Sequence, residues 1–351
     1  MAVMGTTDAH EPWRRLHDDA IVWLVHDHFY HRLDTNLAMR EGGVTAKTVV
    51  PVADLAIYND SPGEDHLAYY ERTLAETDGW ARESLVRLER ARRLYESRPD
   101  RFLVAERAED VLRAKREGKA AIFLGMEGCK AFEGRIELVS AFHRLGVRQM
   151  QLTWAGPNQL VDATSDAWRL SAFGREAVAL MNELGVVIDL AHAPWSFFAE
   201  VVERSAQPVI VSHGAPKEPY GSGDMTRGHL DALAASRGLL GLHFCRHYIN
   251  GPFATFDDFL GTIDWLIQQG YEDIVALGGD LFEDDAYFRA RHPPPRGATH
   301  ETWRPFIDEI GDVRRIRAIT HALVARDYPE ATIRKILGEN ALRVYRAALR
   351  G

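Results

Sequence analysis

Cysteine is almost missing from this chain: its 351 residues hold two, Cys129 and Cys245. They show neither CxxC spacing nor the density of a disulfide scaffold, so both are read as reduced thiols. Long apolar runs are missing as well. No stretch reaches the roughly 18 uncharged apolar residues of a membrane span, and the opening "MAVMGTTDAHEPWRRL" lacks the apolar core of a secretion signal. The expectation is a soluble, cytoplasmic protein with no membrane partner. Nor is there a basic block. Net charge is −9 with a pI near 5.9, and the cations are scattered along helix-like stretches such as "RESLVRLERARRLYESR", which argues against a nucleic-acid partner. Finally, no low-complexity tract or Ser/Gly linker divides the chain. With 46% hydrophobic and 26% charged residues, 1–351 reads as a single large globular domain.

What the sequence does contain is alternation. Eight short apolar, β-branched runs fall at 20–28, 47–54, 120–128, 148–154, 185–192, 208–214, 239–244 and 273–280. Segments of helical periodicity lie between them at 64–98, 135–145, 171–184, 195–205, 227–236, 256–269 and 301–325, with a last one at 329–349. Eight strand–helix units predict an α/β fold, a closed (β/α)8 TIM-like barrel. An open doubly wound sheet is the weaker expectation, because no Gly-rich dinucleotide fingerprint follows the first strand.

Several of these runs end in a residue that can bind a metal. In "WLVHDHF", His26 and His28 are two apart and project to the same side of an extended strand, with Asp27 pointing away. Further runs end in Glu127, His192, His213 and Asp280. Parallel barrel strands all end at one face, so six potential ligands distant in sequence converge there. Taken singly, each has an ordinary structural reading: a hydrogen-bonded histidine, a helix-capping Glu127, a loop-bracing Asp280. Buried polar groups at five strand ends all need partners, and a divalent metal satisfies several together. Imidazole and carboxylate donors suit zinc, although they also admit manganese, cobalt or iron, and they outnumber the needs of one tetrahedral ion. Two ions sharing a carboxylate would use them all and could hold a hydroxide between them, which is hydrolytic equipment.

The order of these residues resembles a known family. "EGGVTAKTVV", "LGMEGCKAF", "LSAFGREAVALMNELG", "MNELGVVIDLAHAPW", "QPVIVSHGAP", "IVALGGD" and the tail "KILGENALRVYR" are similar, over about 20–347, to the membrane dipeptidase (renal dipeptidase) family, peptidase family M19, of the amidohydrolase superfamily. The resemblance implies a distorted barrel of the metallo-dependent hydrolase type holding two zinc ions, and it suggests a homodimer. Glu127 would bridge the ions together with a hydroxide, and His192 and His213 would sit on one of them. Asp280 would bind the other and carry the proton between hydroxide and leaving amine, so that Asp280 and Glu127 are the catalytic candidates.

The chain also departs from the family. His28 stands where the family carries the aspartate of His-x-Asp, which removes a negative charge and leaves a more positive site. Trp154 stands where a histidine contacts the substrate carbonyl, and indole donates without accepting. The arginine that holds the substrate carboxylate aligns near Gly223 in "PYGSGDMTRGHLDAL", with Arg227 as a possible substitute or a solvated helix residue. On the seventh strand, His243 and Arg246 are candidates for the pocket and for an anionic substrate end, or else residues of a packed loop. The long segment 281–300 is either a cover for the pocket or a surface insertion. The leading expectation is therefore a metal-dependent hydrolase of the dipeptidase type, cleaving a dipeptide or related small amide. The alternatives are a metal-binding pseudoenzyme and a metal-assisted lyase or isomerase acting on a small non-dipeptide substrate.

Overall fold

The structure, a computed structural model, describes residues 12–54, 79–154, 156–164, 167–282, 294–299 and 302–349. Its strands are β1 (Trp23–Asp27), β2 (Ala46–Ala53), β3 (Phe102–Val104), β4 (Ala120–Glu127), β5 (Val147–Gln151), β6 (Val161–Ala163), β7 (Trp168–Leu170), β8 (Val187–Asp189), β9 (Ile210–Gly214), β10 (Leu239–His243) and β11 (Val275–Leu281). Eight of them, one for each apolar run, pair in parallel in the order β2-β1-β11-β10-β9-β8-β5-β4. The pairing of β2 with β4, from Ala46 against Ala121 to Ala53 against Glu127, closes the ring. The result is a (β/α)8-like barrel. Short β3 adds to the first half of β4, leaving the second half to β5, and β6 and β7 form a separate hairpin.

The helices are α1 (Pro12–Asp19), α2 (Leu33–Leu37), α3 (Trp80–Glu96), α4 (Glu109–Arg116), α5 (Ile136–Arg144), α6 (Ala172–Leu184), α7 (Trp195–Arg204), α8 (Arg227–Ala235), α9 (Arg246–Asn250), α10 (Phe256–Gln268), α11 (Arg317–Ala325), α12 (Glu330–Arg334) and α13 (Asn340–Ala348). None among the described residues is long and apolar enough to cross a membrane. Where the sequence marks both ends, the helix follows it. Ser171 caps α6 by accepting from the Gly174 N–H at 2.9 Å, and Gly185, at φ 74°, stops it.

Two predicted helices need correction. Among the described residues of the 301–325 segment only α11 is α-helical; Pro305 lacks an N–H and the chain there turns, with Phe306 bridging to Cys245. The 329–349 segment is not continuous either. A π turn (Lys335–Glu339) separates α12 from α13, and a side chain at Gly338 would come within 2.7 Å of the Ile21 carbonyl oxygen. In the 64–98 segment α3 begins at Trp80; residues 64–78 lie outside the described residues, as does most of 281–300. The helices α1, α2, α4 and α9, together with β3 and the β6–β7 hairpin, are short elements that periodicity did not reveal.

The core has two shells. One lies between the barrel and the outer helices. The other fills the barrel and is built from residues near the strand starts: Trp23, Ala121, Phe123, Val187, Ile210, Leu239 and Ala276. It is completed by α13, whose Tyr345 ring lies 4.4 Å from that of Trp23. The Tyr345 hydroxyl bonds to Thr48 and Gln149. The last helix therefore plugs the end of the barrel where the strands begin, leaving the other end for the site.

Candidate metal centre

The β1 strand is irregular at the position that matters. Trp23 and Val25 face the barrel interior and Leu24 the outer shell. Strict alternation would send His26 outward with Leu24. The register of β1 instead slips against β2 between Leu24 and Asp27, and against β11 between His26 and Asp27. This bulge turns His26 and His28 inward together. Asp27 points the other way, as the sequence implied, and accepts from Lys47 Nζ at 2.9 Å and from the Phe29 N–H at 2.7 Å. Burial pushes Asp27 up and Lys47 down, and each one's charge counters the other's shift.

Glu127, at the end of β4, lies among four imidazoles. Its Oε1 is 3.7 Å from His26 Nε2, 3.5 Å from His192 Nε2 and 3.6 Å from His213 Nε2. Its Oε2 is 3.5 Å from His28 Nε2. Asp280 Oδ1 lies 3.0 Å from His28 Nε2 and 3.6 Å from His26 Nε2. The six sequence-predicted ligands thus stand together, and they form three overlapping sets: His26–His28–Glu127, His26–His213–Asp280 and Glu127–His192–His213. Two of the six have left-handed backbone, His192 at φ 63° and Asp280 at φ 54°. Such strain in residues other than glycine concentrates at functional sites. His192 lies three residues beyond the end of β8, so the fifth strand is shorter than its apolar run.

The electrostatics follow from burial against charge. Burial, aided by the neighbouring imidazoles, drives His26 down to about 4 and His213 down as well. For His28 burial is outweighed by Glu127 and Asp280, which raise it to about 9. For His192 burial is outweighed by its bond to Glu127. Both carboxyls are held below their usual range despite burial, Glu127 chiefly by His28 and Asp280 chiefly by His213. The two carboxylates together favour a proton on His28, whose Nε2 stands against both of them.

The donor set fits divalent cations. Glu127 Oε2 is buried without a hydrogen-bond donor, and the Nε2 atoms of His192 and His213 face each other at 2.8 Å. A cation answers both. Ser212, which sequence reasoning passed over, holds the far side of two rings: its Oγ is 2.9 Å from His213 Nδ1 and 3.2 Å from His26 Nδ1. Asp189 supports Ser212 in turn by accepting its N–H at 3.0 Å. Adjacency in "SHG" is the only sequence signal for Ser212, and it does not disclose the second histidine.

The substrate-side candidates divide. Trp154 stands edge-on to His192, ring centroids 6.4 Å apart. His243 joins the cluster, with Nε2 3.1 Å from Asp280 Oδ2. Arg246 is taken up by nearby and distant loops: its guanidinium bonds to the Ala254 and Arg304 carbonyls and pairs with Asp308 at 2.9 Å. Arg227 lies on the outer helices, bonded to Gln269 at 3.0 Å and over the Trp265 ring. The donors of both arginines are thus engaged outside the ligand cluster.

The sequence profile described as Membrane dipeptidase (Peptidase family M19) matches residues 32–287. The chain belongs to the membrane dipeptidase family. The matched stretch starts after the His-x-His of β1 and includes Glu127, His192, His213 and Asp280. Among curated relatives, Dipeptidase tcpJ of Claviceps purpurea is 27% identical over 270 residues, 76% of this chain but 60% of that protein. The chain thus spans about three fifths of that relative's length. Among solved structures, an amidohydrolase from Pseudomonas aeruginosa superimposes with a TM-score of 0.79 at 24% identity, over 96% of this chain and 99% of that one. A metallo peptidase from Rhodobacter sphaeroides, liganded with a phosphinate mimic of the dipeptide L-Ala-D-Ala, gives 0.73 at 22%, over 94% and 100%. Both share the fold.

Proposed function

We propose that this membrane dipeptidase family member is a metal-dependent hydrolase that cleaves a dipeptide or a related small amide. One observation carries the reading: a single buried carboxylate, Glu127, stands between the His26–His28 pair on one side and the His192–His213 pair on the other, with Asp280 beside it. The ligands are His26, His28, Glu127, His192, His213 and Asp280, with Glu127 shared. These residues would hold divalent cations, zinc by the donor set, and the metal would supply carbonyl polarisation and an acidified water.

The chain's own groups do the remainder. The His192 and Asp280 side chains keep 24% and 12% exposure, whereas the other four ligands keep 4% or less. Substrate therefore approaches between these two, past Trp154, whose indole flanks the scissile group. Asp280 accepts the proton of the attacking water and returns it to the leaving amine. With His28 in place of a carboxylate, the ligand set holds four neutral donors and two anions, which favours a substrate carrying negative charge close to the reacting carbonyl.

The test is hydrolysis of Gly-D-Ala and a panel of L-X-L-X and L-X-D-X dipeptides by zinc-loaded protein, with E127Q as the control. Turnover that adds one water to the substrate mass and disappears in E127Q is the expected result. Metal-loaded protein that turns over no dipeptide overturns the dipeptide reading, and a product of unchanged mass replaces hydrolysis with isomerisation.

A further inference from the structure

His243 belongs to no ligand set, although it lies within the cluster. Its ring is held in one protonation pattern by the backbone. The Cys245 N–H donates to His243 Nδ1 at 3.1 Å, so Nδ1 is the acceptor and the ring proton sits on Nε2. That Nε2–H points at Asp280 Oδ2, 3.1 Å away. A nitrogen that carries this proton cannot also bind a cation.

The ring has little freedom to leave. Tyr248 of α9 covers one face, its ring centroid 4.2 Å away and 13° from parallel. The helix α9 is in turn pinned by Arg246, through the Ala254 and Arg304 carbonyls and Asp308. His243 also stands directly across from Gly279 in the barrel register, so no side chain intervenes before Asp280. On the other partner, the backbone of Asp280 is constrained at φ 54° after Gly279 at φ 83°. What the backbone leaves free is rotation of the carboxylate about its own bond, which would exchange its two oxygens.

The geometry points to His243 as a positioning residue: by donating to Oδ2 it stops that rotation and keeps Asp280 Oδ1 turned toward His26 and His28. Its assignment moves from substrate contact to orientation of the group that binds metal and carries the proton. The inference rests on the role given to Asp280 above, and the experiment keeps the two separable by reading metal binding apart from turnover.

Three variants discriminate. H243F preserves the ring and its stacking but removes the donor. H243Q places an amide N–H near the lost Nε2. H243N is too short to reach. Zinc affinity of the metal-free full chain, measured by competition with a chromophoric chelator, should fall about tenfold or more for the weaker ion in H243F and H243N. H243Q should stay within about threefold of wild type. On any dipeptide the wild type cleaves, kcat should fall by a similar factor in H243F and H243N with KM little changed, and H243Q should recover it. Equal losses in all three variants, or wild-type affinity in H243N, overturns the inference. If the wild type binds two ions and cleaves no dipeptide, the proposed substrate fails while the metal series still decides the role of His243. Should H243F not fold, H243N against H243Q makes the same distinction.

Discussion

His28 is the ligand candidate whose proton competes most directly with metal. Burial works against its charge, but Glu127 and Asp280 raise it to about 9, so the metal-free protein carries that proton at neutral pH. A cation binds only the neutral ring. Affinity for the ion on this side should therefore rise by about tenfold per pH unit between pH 7 and 8.5, with about one proton released on binding. Competition titrations at the two pH values, together with calorimetry in buffers of different ionisation heat, check both. H28D has no proton to lose in that range, so its affinity should be flat; a slope as steep as that of the wild type would show that another group titrates. Ser212 stands at the same scale. The histidines themselves were legible because strand ends advertise them, whereas a serine joining His26 to His213 is visible only once β1 and β9 share one barrel interior.

Among the elements, β1 decides most. Its bulge aims both histidines inward and leaves Asp27 in the outer shell, where Lys47 of β2 meets it. Lys47 Nζ also donates to Asn36 Oδ1 at 2.6 Å, and Tyr95 of α3 donates to that oxygen at 3.2 Å. Asn36 reaches back to the Phe29 and Arg32 carbonyls at 2.5 Å each. The network thereby ties the loop after His28 to β2 and α3. Removing one partner of a buried ion pair leaves the other charge stranded, so K47M should destabilise the protein by about 3–5 kcal/mol in urea melts. D27N/K47M should recover a large part of that loss. If K47M cost less than about 1 kcal/mol, Asp27 would be neutral in the fold and the loop held by other means. Nothing in "HDH" or "AKT" announces the pair, because its members are 20 positions apart on adjacent strands.

At the scale of the whole molecule, a buried imidazole fastens the first described helix to segments far along the chain. His17 of α1 bonds through Nδ1 to Thr320 Oγ1 of α11 at 2.6 Å and through Nε2 to the Gly42 carbonyl at 2.9 Å. Burial lowers its pKa from 6.5 to about 4. The fold thus prefers the neutral ring, and the unfolded chain takes up the proton first as pH falls. The His17 contribution is intact above pH 6.5 and is lost progressively down to about 4, by roughly 3 kcal/mol at most. Metal-free wild type should lose more stability between pH 7 and 4.5 than H17Q does, by about that amount, in urea unfolding. Equal losses would assign the acid sensitivity to the metal ligands alone.

The eight apolar runs and the ligands at their ends were readable in the sequence because a parallel strand buried on both faces must be continuously apolar, and because a titratable group at its end stands out against that background. The closed barrel followed from counting the units. Three things came only from the folded chain: the bulge that turns His26 inward, the helix and loop contacts of Arg227 and Arg246, and the contact of His243 with Asp280. Each depends on which neighbour lies within about 3 Å, a distance set by strand register and by the packing of α9 and α13. Hydrophobic patterning specifies which face of an element is buried. Which polar atom meets which is decided only when the elements close around one another.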